Sequence, residues 1–269
     1  MSIGMMNNDQ TQQLAYLARD VARQAGQVAL GGYRTRVRID RKQGAELVTQ
    51  FDFAAEAAIR EGLEKAEPGI PILAEEGGGP ERCACYWCVD PIDGTTNFAH
   101  GHPFWAVSIA LVQDGEPVVG AVVAPVLLLE WVAAKGHPTL RNGDACYVSE
   151  TGSVRDALVA TGFPYDRQTN PDNNFQQFAF MQKQAVGVRR CGSAALDLCL
   201  VADGTYDGYW EKSRSSWDIA AGIRIVRSAG GVATSMGGEE VDLFEGNVVA
   251  TNGWIHEELV GLLRKSRES

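Results

Sequence analysis

The chain has 269 residues, 45% of them hydrophobic and 22% charged, which is the composition of an ordinary globular protein and excludes a disordered or fibrous one. Its 34 acidic and 24 basic residues give a formal charge of −10, and no large cluster of Lys and Arg interrupts this acidity. Such a charge disfavours nucleic acid and anionic membrane surfaces as partners.

The N-terminal segment lacks the features of a secretory signal. Residues 1–13 contain neither a basic nor an apolar segment, and the longest apolar stretch, residues 118–129, is too short to span a bilayer. Cys83, Cys85 and Cys88 lack the paired arms of a zinc site, so reduced thiols are expected. These features predict a cytoplasmic protein.

Helical periodicity dominates the first part of the chain. Apolar residues recur at three- and four-residue intervals from Gln12 to about Gly31, which predicts an amphipathic helix. The same spacing predicts a second helix over residues 53–65, with Asp52 as its N-cap. Residues 70–74 then read as a short strand.

Strand patterns follow. The apolar residues 86–89 predict a buried strand that stops at Pro91, and residues 104–134 predict antiparallel strands with a tight turn at residues 113–116. Residues 135–157 are rich in turn-forming residues, and strands and helices alternate beyond them.

This order of elements predicts a layered, mixed α and β architecture. We expect a single domain over residues 1–269, with one sub-lobe over residues 1–145 that carries the metal and phosphate site and a second over residues 146–269 for substrate recognition.

The segment WCVDPIDGTTNF, residues 87–98, carries the strongest chemical signal. Asp90 and Asp93 lie three residues apart around a proline, and Gly94 and Thr95 follow them. If these last residues begin a helix, its free N–H groups face whatever the carboxylates hold. Hard divalent cations share oxygen ligands with substrate phosphates, so the pattern indicates a metal-assisted phosphoryl site. A plain surface turn is disfavoured because the acids follow a buried strand.

Two further acids have a similar setting. Glu75 and Asp218, like Asp90 and Asp93, follow a short apolar run or precede an apolar helix, and buried acids are unfavourable unless a cation neutralises them. The four histidines form neither a metal-binding HExxH motif nor a recognisable Ser-His-Asp order. We therefore expect water activated by a metal ion rather than a histidine base or a covalent serine.

DPIDGTTNF, residues 90–98, resembles the signature of the inositol monophosphatase family. Further matches follow one another along nearly the whole chain: ELVTQFD at 46–52, AEE at 74–76, GSAALDLCLVADG at 192–204, YWE at 209–211 and WDIAAG at 217–222. The resemblance implies a five-layered αβαβα sandwich of the sugar phosphatase type. It also implies a Mg²⁺-dependent, lithium-sensitive phosphatase that forms a homodimer.

The same resemblance assigns roles to individual residues. It implies that about two to three Mg²⁺ ions are bound by Glu75, Asp90, the main-chain carbonyl of Ile92, Asp93 and Asp218. It implies a catalytic role for Thr95, Asp52 and Glu75, with Asp52 orienting Thr95 and Thr95 holding the attacking water. The substrate-binding residues that it implies are Gly94, Thr95, Gly192, Ser193, Ala194, Glu211 and Asp218.

The substrate class follows from a smaller detail. Thr96 follows Thr95, whereas relatives that act on 3′-phosphoadenosine phosphate or histidinol phosphate usually have Lys there, so inositol 1-phosphate or a similar cyclitol or sugar phosphate is the leading expectation. Histidinol phosphate and fructose 1,6-bisphosphate remain alternatives, because Gln50 and Phe51 depart from the family pattern near Asp52, as Ala74 does before Glu75. An alternative of another class is a non-catalytic member that binds a protein or RNA.

Overall fold

Two large β-sheets alternate with helices in the computed structural model, which describes residues 7–35, 39–41, 47–80 and 82–266. The described helices are α1 Asn8–Leu30, α2 Gln50–Ala66, α3 Thr95–Ala99, α4 Phe175–Met181, α5 Ala194–Ala202, α6 Ser216–Ser228 and α7 His256–Lys265. The described strands are β1 Ile39–Arg41, β2 Leu47–Thr49, β3 Ile72–Ala74, β4 Cys85–Asp93, β5 Ala106–Gln113, β6 Glu116–Ala124, β7 Leu129–Ala134, β8 Leu140–Arg141, β9 Asp144–Ala145, β10 Leu158–Thr161, β11 Gly187–Arg189, β12 Gly208–Glu211, β13 Val232–Thr234 and β14 Val248–Thr251.

The larger sheet has seven strands in the order β3-β4-β5-β6-β7-β8-β9. Only its β3 and β4 run parallel; the remaining neighbours are antiparallel. The predicted hairpin is confirmed, because Gln113 pairs with Glu116 across a two-residue turn. The smaller sheet has the order β11-β10-β12-β14-β13, with β10 parallel to both of its neighbours.

Each of the two sheets has helices on both of its faces. α1 and α2 pack on one face of the larger sheet, α5 and α6 lie between the two sheets, and α4 and α7 contact each other beyond the smaller sheet, where α7 packs against β14. Successive residues of β4 point into two different hydrophobic cores. Trp87 and Val89 belong to the core that contains residues of α1 and α2, and Tyr86 and Cys88 belong to the core between the sheets. The layers are therefore αβαβα, as predicted.

Two local predictions were wrong. α2 begins at Gln50 with Thr49 as its N-cap, so Asp52 is the third residue of the helix and completes a capping box with Thr49. β4 does not stop at Pro91 but continues to Asp93. α6 packs on strands of both sheets, and the division into sub-lobes at residue 145 stays a prediction. No described helix is both long and apolar enough to cross a membrane.

The close approach of α6 to its neighbours depends on glycine. A Cβ atom at Gly120 in β6 would lie 2.5 Å from the carbonyl oxygen of Ala221 in α6. A Cβ atom at Gly222 would lie 2.5 Å from Cδ1 of Leu198 in α5. Because interiors are close-packed, any side chain at either position must displace a neighbouring element.

We expect Gly120→Ala to lower the free energy of unfolding by about 1–3 kcal/mol, because the added methyl group pushes α6 away from the sheet. Gly261→Ala is the matched control: Gly261 is exposed in α7, and its new Cβ atom would meet nothing within 4 Å. This control should be neutral or stabilising by up to about 1 kcal/mol. Urea unfolding measures both, and equal midpoints for Gly120→Ala and the wild type would contradict the close contact.

Candidate active site

A β-bulge in β4 brings Asp90 and Asp93 together. Asp90 lies opposite Ser108 and Asp93 opposite Ala106, so β4 advances three residues while β5 advances two. In a regular strand, residues three apart face opposite sides, and the extra residue of a bulge cancels that alternation. Pro91 fits in the bulge because it needs no ladder partner for an N–H. The Ile92 N–H donates to Asp90 Oδ1 at 2.9 Å and fixes that side chain.

α6 brings a third carboxylate to the same place. Oxygen atoms of Asp90, Asp93 and Asp218 all lie within 4.8 Å of one another. Asp218 completes a capping box at the start of α6, where its Oδ2 accepts from the Ser215 N–H at 3.0 Å. Ser108 of β5 donates to the Trp217 carbonyl at 3.3 Å, which ties this helix start to the sheet edge.

Glu75 is the fourth predicted acid, and it lies beside Asp90. Its backbone N–H donates to the Val89 carbonyl at 3.3 Å, directly before Asp90 in β4. Burial raises the pKa of Asp90 well above its usual range, and the charges of Glu75, Asp93 and Asp218 and a side-chain hydrogen bond with Glu75 add to this. The structure thus brings together all four acids that the sequence singled out.

The electrostatics of this group favour a cation. Burial, followed by the charge of Asp218, raises the pKa of Asp93 to about 7, although hydrogen bonds from Ser193 and Ala195 oppose the rise. Burial also raises the pKa of Asp218, against the opposing effect of Arg214. Carboxylates held this close must share protons or a cation, and an all-oxygen donor set suits a hard divalent ion. In the described ranges, Asp90, Asp93 and Asp218 form the only group of three or more potential ligands that converges in this way.

Thr95 and Asp52 form a buried hydrogen-bonded pair next to this group. Thr95 Oγ1 lies 3.1 Å from Asp52 Oδ1 and 3.0 Å from the Ile92 carbonyl oxygen. The other oxygen of Asp52 accepts from the N–H and the hydroxyl of Thr49, at 2.8 and 2.7 Å. The capping box therefore holds Asp52 in a fixed orientation toward Thr95.

The predicted residues of the second half meet this site at the start of α5. Ser193 is the N-cap of α5, and its hydroxyl donates to Asp93 Oδ2, which also accepts from the Ala195 N–H at 2.9 Å. Gly94 has a φ of 94°, and a Cβ atom there would lie 3.2 Å from the Gly192 carbonyl oxygen. Only glycine allows this approach without strain. Ala194, the first residue of α5, is buried directly behind Ser193.

Asn97 was not singled out from the sequence, although it lies within the recognised motif. Its Nδ2 donates to the Phe104 carbonyl at 2.7 Å and to the Cys191 carbonyl at 2.8 Å. These bonds join the segment after Gly94 to the segment before α5. Asn97 therefore supports the contact between the two halves of the site.

Glu211 reaches the site with its carboxylate already engaged. The Tyr209 hydroxyl donates to Oε2, and Oε1 lies 3.2 Å from Nε of Arg214. A Cβ atom at Gly162 would lie 2.1 Å from Oε2, so glycine at that position makes room for the carboxylate. Glu211 is 5% exposed. Tyr209 and Arg214 therefore orient this carboxylate, and its remaining lone pairs can still accept a hydrogen bond from a substrate hydroxyl, so the predicted role of Glu211 stays a prediction.

Arg214 and Tyr165 were missed by sequence reasoning. The Arg214 guanidinium lies between Glu211 and Asp218, with Nη1 3.7 Å from Asp218 Oδ2. It also lies over the Tyr165 ring, 5.0 Å from the ring centre. The spacing of Glu211, Arg214 and Asp218 at three and four residues was the available signal, since it matches that of side-chain ion pairs on a helix. No pattern in the sequence pointed to Tyr165.

Comparison with known proteins identifies the family. Residues 10–268 match the model of the inositol monophosphatase family. The chain belongs to that family. An inositol-1-monophosphatase of Synechocystis is 44% identical over 82% of this chain and 77% of its own. A protein of Pseudomonas aeruginosa named Nus factor SuhB is 40% identical over 90% of this chain and 92% of its own.

The solved structures agree with this family membership. The inositol monophosphatase of Anabaena superposes with a TM-score of 0.87 at 38% identity, over 94% of this chain and 96% of that one. The resemblance and the fold expected from it are therefore confirmed. As a member of the inositol monophosphatase family, the protein is a phosphoric monoester hydrolase.

This family member should lose stability with rising pH when divalent cations are removed. The pKa of Asp93 is about 7 in the folded state against an ordinary value of 3.8. Between these two pH values the folded protein holds more protons than the unfolded chain, so its stability falls as the pH rises. Melting temperatures measured in EDTA from pH 4 to 8 should show this fall, and added Mg²⁺ should reverse most of it at pH 8.

Asp93→Asn is the control for this pH dependence, because an amide does not titrate. In EDTA, the variant should melt with a shallower dependence on pH than the wild type does. A slope as steep as that of the wild type would show that the Asp93 carboxyl does not cause the fall.

Proposed function

We propose that the protein is a Mg²⁺-dependent phosphomonoesterase that hydrolyses inositol 1-phosphate, or a similar cyclitol or sugar phosphate, to an alcohol and phosphate. The supporting observation is the convergence of Asp90, Asp93 and Asp218 within 4.8 Å of one another. A hydroxyl oriented by a fixed carboxylate, Thr95 with Asp52, lies beside them. An electrophile and a positioned water are what phosphate ester hydrolysis needs, and this arrangement can supply both.

In this proposal, about two to three Mg²⁺ ions would be held by oxygens of Glu75, Asp90, Asp93, Asp218 and the Ile92 carbonyl. The residues fit such ions because they offer oxygen donors alone and because burial makes their charges unfavourable without a cation. When bound, Mg²⁺ lowers the pKa of water and offsets the charge that develops on the phosphoryl group. The remaining chemistry belongs to residues of the chain.

Thr95 would orient the attacking water. Asp52 Oδ1 accepts a hydrogen bond from the Thr95 hydroxyl, and the carboxylate cannot turn away, because Thr49 donates to its other oxygen. A lone pair of Thr95 Oγ1 is then free to accept a hydrogen bond from water. Glu75, beside Asp90, would take the proton that the water loses as its oxygen bonds to phosphorus. As the bond from phosphorus to the alcohol oxygen breaks, that oxygen would take up a proton from solvent and leave as the alcohol. Such orientation contributes because it replaces a random encounter by a fixed geometry.

The attacking water and the alcohol would lie on opposite sides of the phosphorus atom. The first N–H groups of α3, at Gly94 and Thr95, have no acceptor within the helix and would donate to the phosphate. The alcohol would lie toward Gly192, Ser193 and Ala194 at the start of α5, with the Glu211 and Asp218 side chains next to it.

Asp93→Asn should reduce Mg²⁺-dependent turnover at least about 100-fold, because the amide removes a charged ligand. An amide oxygen can still accept from Ser193 and Ala195, so the fold should be retained. Initial rates of phosphate release measure the effect. Asp144→Asn, on the exposed strand β9, is the matched control and should behave as the wild type. Wild-type rates in Asp93→Asn would remove Asp93 from the metal site.

The deciding experiment is phosphate release from four esters, inositol 1-phosphate, histidinol phosphate, fructose 1,6-bisphosphate and 3′-phosphoadenosine phosphate, each with Mg²⁺ and with chelator. We expect Mg²⁺-dependent release that is greatest for a cyclitol or sugar phosphate and is inhibited by millimolar Li⁺. Strong release from histidinol phosphate instead would name the alternative substrate. The proposed homodimer is tested by light scattering on the same samples, and the proposed cytoplasmic location by fractionation of the source cells.

A second, partner-binding role is favoured by the 40% identity with the protein named Nus factor SuhB. Such a role would not exclude catalysis, because every predicted acid is in place. The charge of −10 opposes direct binding of RNA, so an RNA gel shift at low salt should show no complex. If the protein hydrolyses none of the four esters, the partner-binding role becomes the proposed function.

A further inference from the structure

A buried arginine lies among the acids of the proposed active site. The Arg214 side chain is 10% exposed and contacts Glu211 on one side and Asp218 on the other. We propose that Arg214 binds a second anionic group on the substrate. Within the sugar phosphates of the proposed function, on which this inference rests, the enzyme would then prefer esters whose alcohol carries a carboxylate or another phosphate.

The contacts of the guanidinium leave it able to bind a ligand. Nε lies 3.2 Å from Glu211 Oε1, yet this buried N–H has no hydrogen-bond acceptor in the described part of the chain. The Nε–H is not aligned with that oxygen, and Nη1 lies 3.7 Å from Asp218 Oδ2, which is beyond hydrogen-bonding distance. A guanidinium carries five N–H donors, and a buried donor without an acceptor is unfavourable. Nε is enclosed by the protein, so an anion would bind at the terminal Nη groups of the guanidinium.

The backbone holds Arg214 in place. Its N–H donates to the Gly246 carbonyl at 3.0 Å, and a Cβ atom at Gly246 would lie 1.7 Å from the Arg214 carbonyl oxygen. Gly246 also has a φ of 66°, which glycine adopts without strain. The segment around Gly246 therefore closes directly over Arg214, so the guanidinium starts from a rigid turn.

Tyr165 fixes the other face of the guanidinium and stands at the entrance to the site. Its ring is 41% exposed, yet the charge of Asp218 contributes, after burial, to the raised pKa of its hydroxyl. Asn174 Nδ2 donates to the Gly162 carbonyl at 2.6 Å, and Lys212 pairs with Asp172. These contacts bracket the segment that carries Tyr165. A substrate alcohol leaving the acids toward solvent would therefore meet both Tyr165 and Arg214.

The chemistry of arginine favours an anion over a sugar hydroxyl. Its planar fork matches carboxylate and phosphate, and charge-assisted hydrogen bonds are about twice as strong as neutral ones. The acid expected to bind a ring hydroxyl, Glu211, holds Arg214 and the Tyr209 hydroxyl instead. Glu211 and Arg214 thus neutralise each other, and the pair offers guanidinium N–H donors to a ligand in place of a negatively charged hydroxyl acceptor.

Matched esters test the preference. 3-Phosphoglycerate differs from glycerol 3-phosphate by a carboxylate, and fructose 1,6-bisphosphate differs from fructose 1-phosphate by a second phosphate. The wild type should have the higher kcat/KM for the anionic member of at least one pair, and which pair responds identifies the anion. Arg214→Met should lower kcat/KM for that member, mainly through KM, about 10- to 100-fold more than it lowers kcat/KM for p-nitrophenyl phosphate.

Further variants separate recognition from stability. Arg214→Met leaves Glu211 buried without its cation, so Glu211→Gln combined with Arg214→Met removes both charges and should show the same loss of preference. Arg214→Lys keeps the charge without the fork and should restore the preference in part. Arg23→Leu, which breaks an ion pair with Glu130 between α1 and β7, is the control and should leave all ratios unchanged.

Two results would overturn the proposal. A wild type that hydrolyses both members of each pair equally well has no second anion site. Equal losses for both members in Arg214→Met and in the double variant would show that Arg214 only maintains the shape of the site. If the wild type releases no phosphate from any ester, including p-nitrophenyl phosphate, the proposed function itself fails, and that outcome is distinct from the other two.

Discussion

The mutual repulsion of buried carboxylates is the constraint on which the site depends. Oxygen atoms of Asp90, Asp93 and Asp218 lie within 4.8 Å of one another. Burial raises the pKa of all three, and the charges of neighbouring acids raise it further. The chain opposes this repulsion with N–H groups at two helix starts. Asp93 accepts from the first turn of α5, and Asp218 caps α6, where the helix dipoles favour negative charge. Because these N–H groups offset only part of the negative charge, the three carboxylates attract cations.

The geometry of that receptor depends on the spacing of the layers. Asp90 and Asp93 come from the larger sheet and Asp218 from a helix between the sheets. Glu211 ends β12, the central strand of the smaller sheet, and Arg214 follows it in the chain. Gly120 lets α6 contact β6 closely, so the position of Asp218 is set by the backbone contacts of its helix. A change in core packing far from the acids can therefore alter the distances between them.

Patterns within single elements predicted much of this arrangement. The four acids, the layered α and β architecture and the hairpin at residues 113–116 followed from apolar runs and turn residues, and the αβαβα order of the layers followed from the family resemblance. The misplaced N-cap has a local cause, because α2 begins at Gln50, three residues before the start that periodicity indicated. The continuation of β4 through Pro91 depends on a bulge against β5, and the engagement of Glu211 depends on Gly162 and Arg214. Such tertiary contacts leave no periodic trace in a sequence.

An acidic protein that binds an anionic ester must reverse its charge locally, and this chain has two means of doing so. The acids attract cations, which exchange with solvent and whose binding depends on pH because the carboxylates must be ionised. Arg214 is a permanent charge: burial alone would lower its pKa, but Glu211 and Asp218 raise it. A guanidinium stays protonated wherever the protein is folded. Catalysis and the proposed choice of substrate therefore rest on separate positive charges, so pH and cation supply can change the rate without removing the anion receptor.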